Sequence, residues 1–158
     1  MRRLRLVTTA ISLSLVAATP SMISAAELDP KAISITLPDQ IPWKTNAEGT
    51  NASAVLLGDP TKSGLYVQMF KWLPGNMSRP HWHPNDRYIT VLKGTWWVGT
   101  GNTFAPDATV PVPAGSYVHH YGKEVHYDGA KEGEAVLLIV GEGPETATLA
   151  STAPPPPH

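Results

Sequence analysis

The chain has 158 residues, 12 Lys and Arg against 13 Asp and Glu, and no cysteine. That length suits a single domain behind a leader, and the missing cysteine excludes disulfides, thiolate metal ligands, iron–sulfur clusters and a cysteine nucleophile. Three arginines sit in the first five positions, so residues 27–158 carry 9 basic against 13 acidic side chains and give no footing for nucleic acid or an anionic membrane surface.

Residues 1–26 have the pattern of a cleaved secretory signal peptide: a basic start at Arg2, Arg3 and Arg5, an apolar stretch from Leu6 to Ala18, and small residues at Ser24-Ala25-Ala26. An uncleaved membrane anchor is the rival reading, but the apolar stretch is shorter than the roughly 20 residues a membrane span needs. The Arg-Arg pair lacks the fuller context of a twin-arginine signal. The mature chain is expected to begin at Glu27 and to be periplasmic or secreted, with no membrane contact after cleavage.

Residues 27–150 then read as one all-β domain, because short apolar or alternating runs are separated by Gly, Pro, Asn and Asp every ten residues or so. Strands are expected at Ala32 to Leu37, Ala54 to Leu57, Leu65 to Leu73, Arg87 to Leu92, Thr95 to Thr100, Tyr117 to His120, Val125 to Asp128 and Ala135 to Val140, with a short exit strand near Thr146 to Leu149. Along Leu65 to Leu73, alternation puts Tyr66, Gln68, Phe70 and Trp72 on one side. Lys93-Gly94 is short enough for a tight hairpin between its flanking strands. Many short strands suggest a jelly-roll barrel or a sandwich, with an immunoglobulin-like sandwich as the structural rival. Residues 151–158, with four consecutive prolines, read as a disordered tail, and His158 is discounted as a ligand.

The chemistry concentrates in Gly75-Asn-Met-Ser-Arg-Pro-His81-Trp-His83. A His-x-His pair on an extended strand sends both imidazoles to one side, and a third is available at His126. Neutral imidazole is a ligand for zinc, iron, copper, manganese or nickel, and a His-only site does not by its ligand type name the metal. The plainer reading is a pair of surface histidines on the turn after Arg79-Pro80, with His126 a buried neutral ring.

These residues stand in a recurring frame. Gly75, five residues, His81, one residue, His83, three residues, position 87, six residues and Gly94 resemble the first cupin motif. From Gly115, five residues lead to Tyr121 where Pro is usual, Lys123 stands where Gly is usual, and His126 falls at the third ligand position; this resembles a second, degenerate cupin motif, with Ala130 in place of the usual Asn. The frame covers roughly residues 60–142. The resemblance implies a single-domain cupin jelly-roll β-barrel, often a homodimer, with His81, His83 and His126 turned inward on a divalent metal. Three-His cupins of this kind include acetylacetone-cleaving dioxygenase and other non-haem iron dioxygenases that bind a β-diketone or similar chelate.

The departure from the motif is Arg87, where the family usually has a ligating Glu. A guanidinium has no lone pair and stays charged, so it cannot bind metal, and strand parity points it inward with the histidines. It is expected to meet an anion: a substrate carboxylate, an enolate or a structural acid. Asp86 and Glu124 could replace the missing carboxylate only through a local register change. Of the adjacent pair His119 and His120, one faces the interior; parity does not decide which, and His120 is the candidate for a catalytic base or a fourth ligand, against a reading of one solvated and one packed ring. Trp72, Trp82, Trp96 and Trp97 and the tyrosines Tyr66, Tyr88 and Tyr117 are expected mainly to pack, with one of Trp96 and Trp97 lining an apolar pocket above the metal.

The expected function is an exported metal-binding cupin acting on a small oxygen-bearing organic molecule chelated to the three-His metal, with Arg87 and His120 as catalytic candidates. Dioxygenase-type cleavage is the most concrete chemistry, with isomerase or lyase chemistry close behind. The alternative is a non-catalytic periplasmic cupin that binds a small ligand or metal. A third reading is an interaction module using the outer sheet and the proline tail.

Overall fold

The structure, a computed structural model, describes residues 27–151. The expected leader, residues 1–26, and residues 152–158, with the proline run and His158, lie outside them. The chain divides into two compact units between Ile35 and Thr36. In the first, Asp29 turns the backbone: its Oδ1 accepts from the Lys31 N–H, and its carbonyl from those of Ala32 and Ile33. The strand expected at 32–37 is absent. Ile33, Ile35 and Leu37 alternate with polar residues, but each is more than half exposed, and Pro38–Gln40 turns as a short 3-10 helix. Alternation without a partner strand does not make a sheet.

The second unit holds eleven strands among its described residues: β1 Lys44–Thr45, β2 Asn51–Leu57, β3 Gly64–Trp72, β4 His81–Trp82, β5 Arg87–Lys93, β6 Thr95–Thr100, β7 Val110–Pro113, β8 Tyr117–His120, β9 His126–Gly129, β10 Ala135–Gly143 and β11 Thr148–Leu149. They form a six-stranded sheet in the order β1-β2-β3-β10-β5-β8 and a five-stranded sheet in the order β11-β4-β9-β6-β7. Pairing is antiparallel throughout. This is the all-β jelly roll expected of the sequence. β1, β4 and β7 are not among the strands expected above, although His81 and His83 are expected on extended backbone; Pro80 precedes β4, and Pro111 and Pro113 lie inside β7. β7 is the outer strand of its sheet, the place where proline is tolerated.

The join at Gly94 differs from expectation. β5 and β6 do not pair as a hairpin; they lie in different sheets, and Gly94 carries the chain around the corner. Its φ of +76° falls in the left-handed region, and a Cβ there would strike the Glu134 carbonyl. Only glycine meets both demands. The corner delivers Trp96, 1% exposed, into the space between the sheets.

That space is filled from both walls. Tyr66 and Trp72 of β3, Ile89 and Val91 of β5, and Leu137 and Ile139 of β10 pack with Trp96 of β6. The inward set of β3 is the one its alternation predicts, with Gln68 also buried. Burying side chains of this size contributes about 1.5–3 kcal/mol each, enough to hold the sheets together without disulfides. The polar end of the same interior is made by two register pairs: His81 opposite His126 in the five-stranded sheet, and Arg87 opposite His120 in the six-stranded sheet.

Candidate metal centre

His81 and His126 are 45 positions apart in sequence yet directly opposed, and theirs is the one register pair that joins β4 to β9. His83, two residues beyond His81, lies on the same side by strand alternation. All three rings are buried, and one ring nitrogen from each falls within 4.8 Å of the other two. The expected convergence of His81, His83 and His126 is met.

Backbone carbonyls fix which nitrogen faces inward. His81 Nδ1 donates to the Arg79 carbonyl at 2.8 Å and His126 Nδ1 to the Glu124 carbonyl at 3.1 Å. Each ring thereby keeps its lone pair on Nε2, the tautomer a metal ligand needs. The Nε2 atoms of His81 and His83 are 3.1 Å apart, while His83 Nδ1 is buried without a hydrogen-bond partner. Burial depresses the His83 ring well below its ordinary pKa, with the Arg87 charge adding to the effect. Burial likewise pulls His126 down to about 4, Asp128 partly opposing it. Neutral rings with convergent lone pairs are what a divalent ion requires, so the residues present fit such an ion.

Arg87 enters this cluster from the opposite sheet. Its Nη2 donates to His126 Nε2 at 3.1 Å and to His120 Nδ1 at 3.0 Å, and its Nη1 pairs with Glu145 Oε1 at 2.9 Å. The second Glu145 oxygen accepts from Gln68 Nε2 at 2.5 Å. Of the anions expected for Arg87, the structure supplies a structural acid, on the segment that follows β10. His120 is the inward member of its pair: it is buried, and burial together with the nearby His126 and Arg87 pulls its pKa down. It stands outside the convergent set of three. His119 faces outward and meets Asp86 Oδ2 at 2.8 Å. Asp86 is also held by the Gly122 N–H at 2.7 Å, and so does not replace the missing carboxylate.

Two acids in the site escaped the sequence reading. Glu145 follows the last long strand and carries no periodic signal. Asp128 was in principle legible, since it lies two residues after His126 on the same strand and so faces the same way. Its Oδ2 accepts from the indole N–H groups of Trp72 and Trp96, each at 2.8 Å, and Ser78 Oγ approaches Oδ1 at 3.3 Å. Burial would raise the Asp128 pKa, but its interactions with His126, His120, His81 and the Arg87 guanidinium outweigh it and hold the carboxyl below its usual range. Trp96 is thus the inward tryptophan, while Trp97 lies under Lys131, whose Nζ is 4.0 Å from the ring centroid. With Arg87 balanced by Glu145, and Asp128 ionised, three neutral rings and one divalent ion would leave the site a net charge of +1. A site of three histidines and one ligating Glu has the same net charge.

Beside the histidines is a cavity of about 260 Å³. Phe70, Ile89, Leu137 and Ile139 give it apolar walls, and His81, His83, Arg87, Asp128 and Glu145 make its polar end. Ala147 and Leu149 of the C-terminal segment close one side, where β11 pairs with β4. The shape and polarity suit a small organic molecule that presents oxygen to one end and carbon to the other.

Comparison with known proteins agrees with this architecture. The ChrR Cupin-like domain matches residues 32–146. No curated protein matches. Among solved structures, the polyketide cyclase RemF from Streptomyces resistomycificus superposes with a TM-score of 0.61 at 17% identity, covering 74% of this chain and 84% of that one. A cupin-2 domain from Rhodospirillum rubrum gives 0.59 at 17% identity over 77% and 82%, and KdgF from Halomonas sp. gives 0.53 at 16% identity over 70% and 95%. At these identities the likeness is one of fold. The family match spans most of the chain and contains all three histidines together with Arg87 and Glu145, and on that ground the chain belongs to the ChrR cupin-like family of the cupin superfamily.

Proposed function

We propose that the protein is a metal-dependent cupin in which His81, His83 and His126 hold a divalent ion and the adjoining cavity takes a small oxygen-bearing organic molecule. The observation that carries this reading is the pair of tautomer locks, Arg79 carbonyl on His81 and Glu124 carbonyl on His126, which aim two lone pairs at the point His83 also reaches. Three buried ring nitrogens brought this close together offer a cation a ready ligand set. An ion held there would act as a Lewis acid on the bound oxygen. The chain's own residues would orient the molecule: apolar walls hold its carbon skeleton, Trp96 and Asp128 shape the floor, and Arg87 with His120 stands where a developing negative charge or a proton would be met.

Dioxygenase-type cleavage of a chelating β-diketone and metal-assisted isomerase or lyase chemistry are both open to such a site. The fold neighbours named polyketide cyclase and DMSP lyase support a reaction without dioxygen; the three-His resemblance supports one with it. A non-catalytic ligand- or metal-binding role has its own support in the hydrogen bond that Arg87 makes to His126. Metal content of untagged protein, then turnover of acetylacetone by iron-, zinc- and nickel-loaded samples with and without oxygen, separates these readings. Stoichiometric metal that is lost in His81→Ala supports the centre; a native protein without metal affinity sinks it. Export belongs to the same proposal and rests on the leader pattern of residues 1–26; mass spectrometry of the mature protein should find Glu27 at its N-terminus.

A further inference from the structure

We propose that the Arg87 guanidinium and a divalent ion are alternative occupants of the His126 Nε2 lone pair, and that Glu145 is the seat onto which the guanidinium withdraws when metal enters. The proposal rests on the metal-centre reading above.

Three observations carry it. First, the His126 tautomer is fixed by the Glu124 carbonyl, so Nε2 has a single lone pair, and Arg87 Nη2 is already donating to it at 3.1 Å. A metal ion bonded to imidazole stands about 2.0–2.1 Å from the nitrogen, so one lone pair cannot serve both cations. Second, the guanidinium is incompletely satisfied where it lies. Both Nη2 protons go to imidazoles and Nη1 goes to Glu145, while Nε is buried without an acceptor. Third, the alternative seat is adjacent. Glu145 Oε1 already takes Nη1 at 2.9 Å, and both groups are mostly buried, with side-chain exposures of 9% and 16%. A shift toward Glu145 would exchange two neutral acceptors for a closer, two-point grip on a carboxylate, the stronger kind of hydrogen bonding. Gln68 and the Pro60 carbonyl hold Glu145 in place to receive it.

Arg87 in this view sets metal affinity from the position where the family usually has a ligating Glu. Opposite effects follow from its two partners. Arg87→Gln removes the competing cation and should tighten metal binding; Glu145→Gln weakens the receiving seat, leaves the guanidinium on the histidines and should loosen it. A hydrogen bond to a charged donor is worth enough to make each change about tenfold or more. In the Arg87→Gln background, Glu145→Gln should have no further effect.

The test uses the full-length protein, stripped of metal and titrated with zinc against a chromophoric chelator, with circular dichroism as a check on folding. Arg87→Met, an apolar replacement of similar length, stands beside Arg87→Gln so that one poorly folded variant does not decide the matter. Tighter binding in the Arg87 variants, looser binding in Glu145→Gln and loss of that difference in the double variant support the proposal. If Arg87 and Glu145 served only to hold the fold, both single variants would melt earlier without splitting zinc affinity in opposite directions, and the proposal is overturned. Equal zinc affinity across all variants also overturns it while leaving the metal centre intact. Failure of every sample, wild type included, to bind zinc removes the centre and the proposal together.

Discussion

Asp128→Asn tests whether the carboxylate beneath the histidines organises the interior. The substitution keeps size and shape and removes the charge. Asp128 Oδ2 accepts two indole N–H bonds at 2.8 Å from Trp72 and Trp96, both anchored in the core. A hydrogen bond to an ionised partner contributes about 1.5–3 kcal/mol and a neutral one about 0.5–1.5, so weakening two of them costs about 2 kcal/mol, reduced by the relief of burying one charge fewer. Asp128→Ala leaves both indoles without an acceptor and should cost about 4 kcal/mol. Urea unfolding of metal-stripped protein at pH 7 reads this directly: with an m-value of about 1.5 kcal/mol/M, the Asn variant melts about 1 M earlier and the Ala variant more than about 2 M earlier. The sign with pH is fixed too. The folded Asp128 pKa is lowered, so its contribution is present above the unfolded value near 3.8 and is lost as pH falls through the folded one. The gap between wild type and Asn should therefore close in strong acid. If both variants stay within about 0.5 kcal/mol of wild type at pH 7, in the range of ordinary surface changes, the carboxylate is not what holds the tryptophans.

Other consequences can be checked separately. Metal-stripped protein should lose stability as pH falls from about 6.5 toward 4, because unfolded histidine takes up a proton in that window while folded His126 does so only near 4; unfolding free energies from urea titrations should change little from about pH 7.5 to 7 and then fall by about 1.4 kcal/mol per pH unit between about pH 6 and 5 for each such ring, and a flat profile would contradict the buried neutral imidazoles. Zinc at about a hundredfold above its dissociation constant should stabilise the protein by about 2.7 kcal/mol in a thermal melt; His126→Ala should abolish the gain and His119→Ala, on the outer face, should retain it. Gly94→Ala should cost more than about 2 kcal/mol, since strained φ and a blocked carbonyl add, whereas Gly49→Ala, also at positive φ but with open space around its Cβ, should cost about 1 kcal/mol; equal losses would mean that the Glu134 contact is not tight.

The architecture was legible because a two-residue period needs only local information. Tyr66, Gln68 and Trp72 are buried as their alternation requires, and the strands at 95–100 and 117–120 begin and end where expected. The His set was legible through spacing on one strand and a frame of glycines. What failed depended on distant partners. Ile33 to Leu37 alternates like a strand and finds none to pair with; Gly94 looks like a hairpin and turns between sheets, a choice made by where β10 and β9 lie. His120 against His119 is decided by the register of β8 on β5, which places His120 opposite Arg87. Glu145 could not be foreseen from local pattern, because its role comes from the chain folding back to meet a guanidinium 58 residues earlier.

The two prolines of β7 have an effect beyond that strand. Pro111 and Pro113 sit opposite Trp97 and Thr95, while Val110 and Val112 alternate with them. Those prolines fall at the positions whose amide would look away from β6, so the rim of the five-stranded sheet presents carbonyl oxygens there and no donors to an incoming strand. An extended peptide or a sister molecule cannot continue the ladder along this border. Any self-association by strand addition has to use another margin of the molecule.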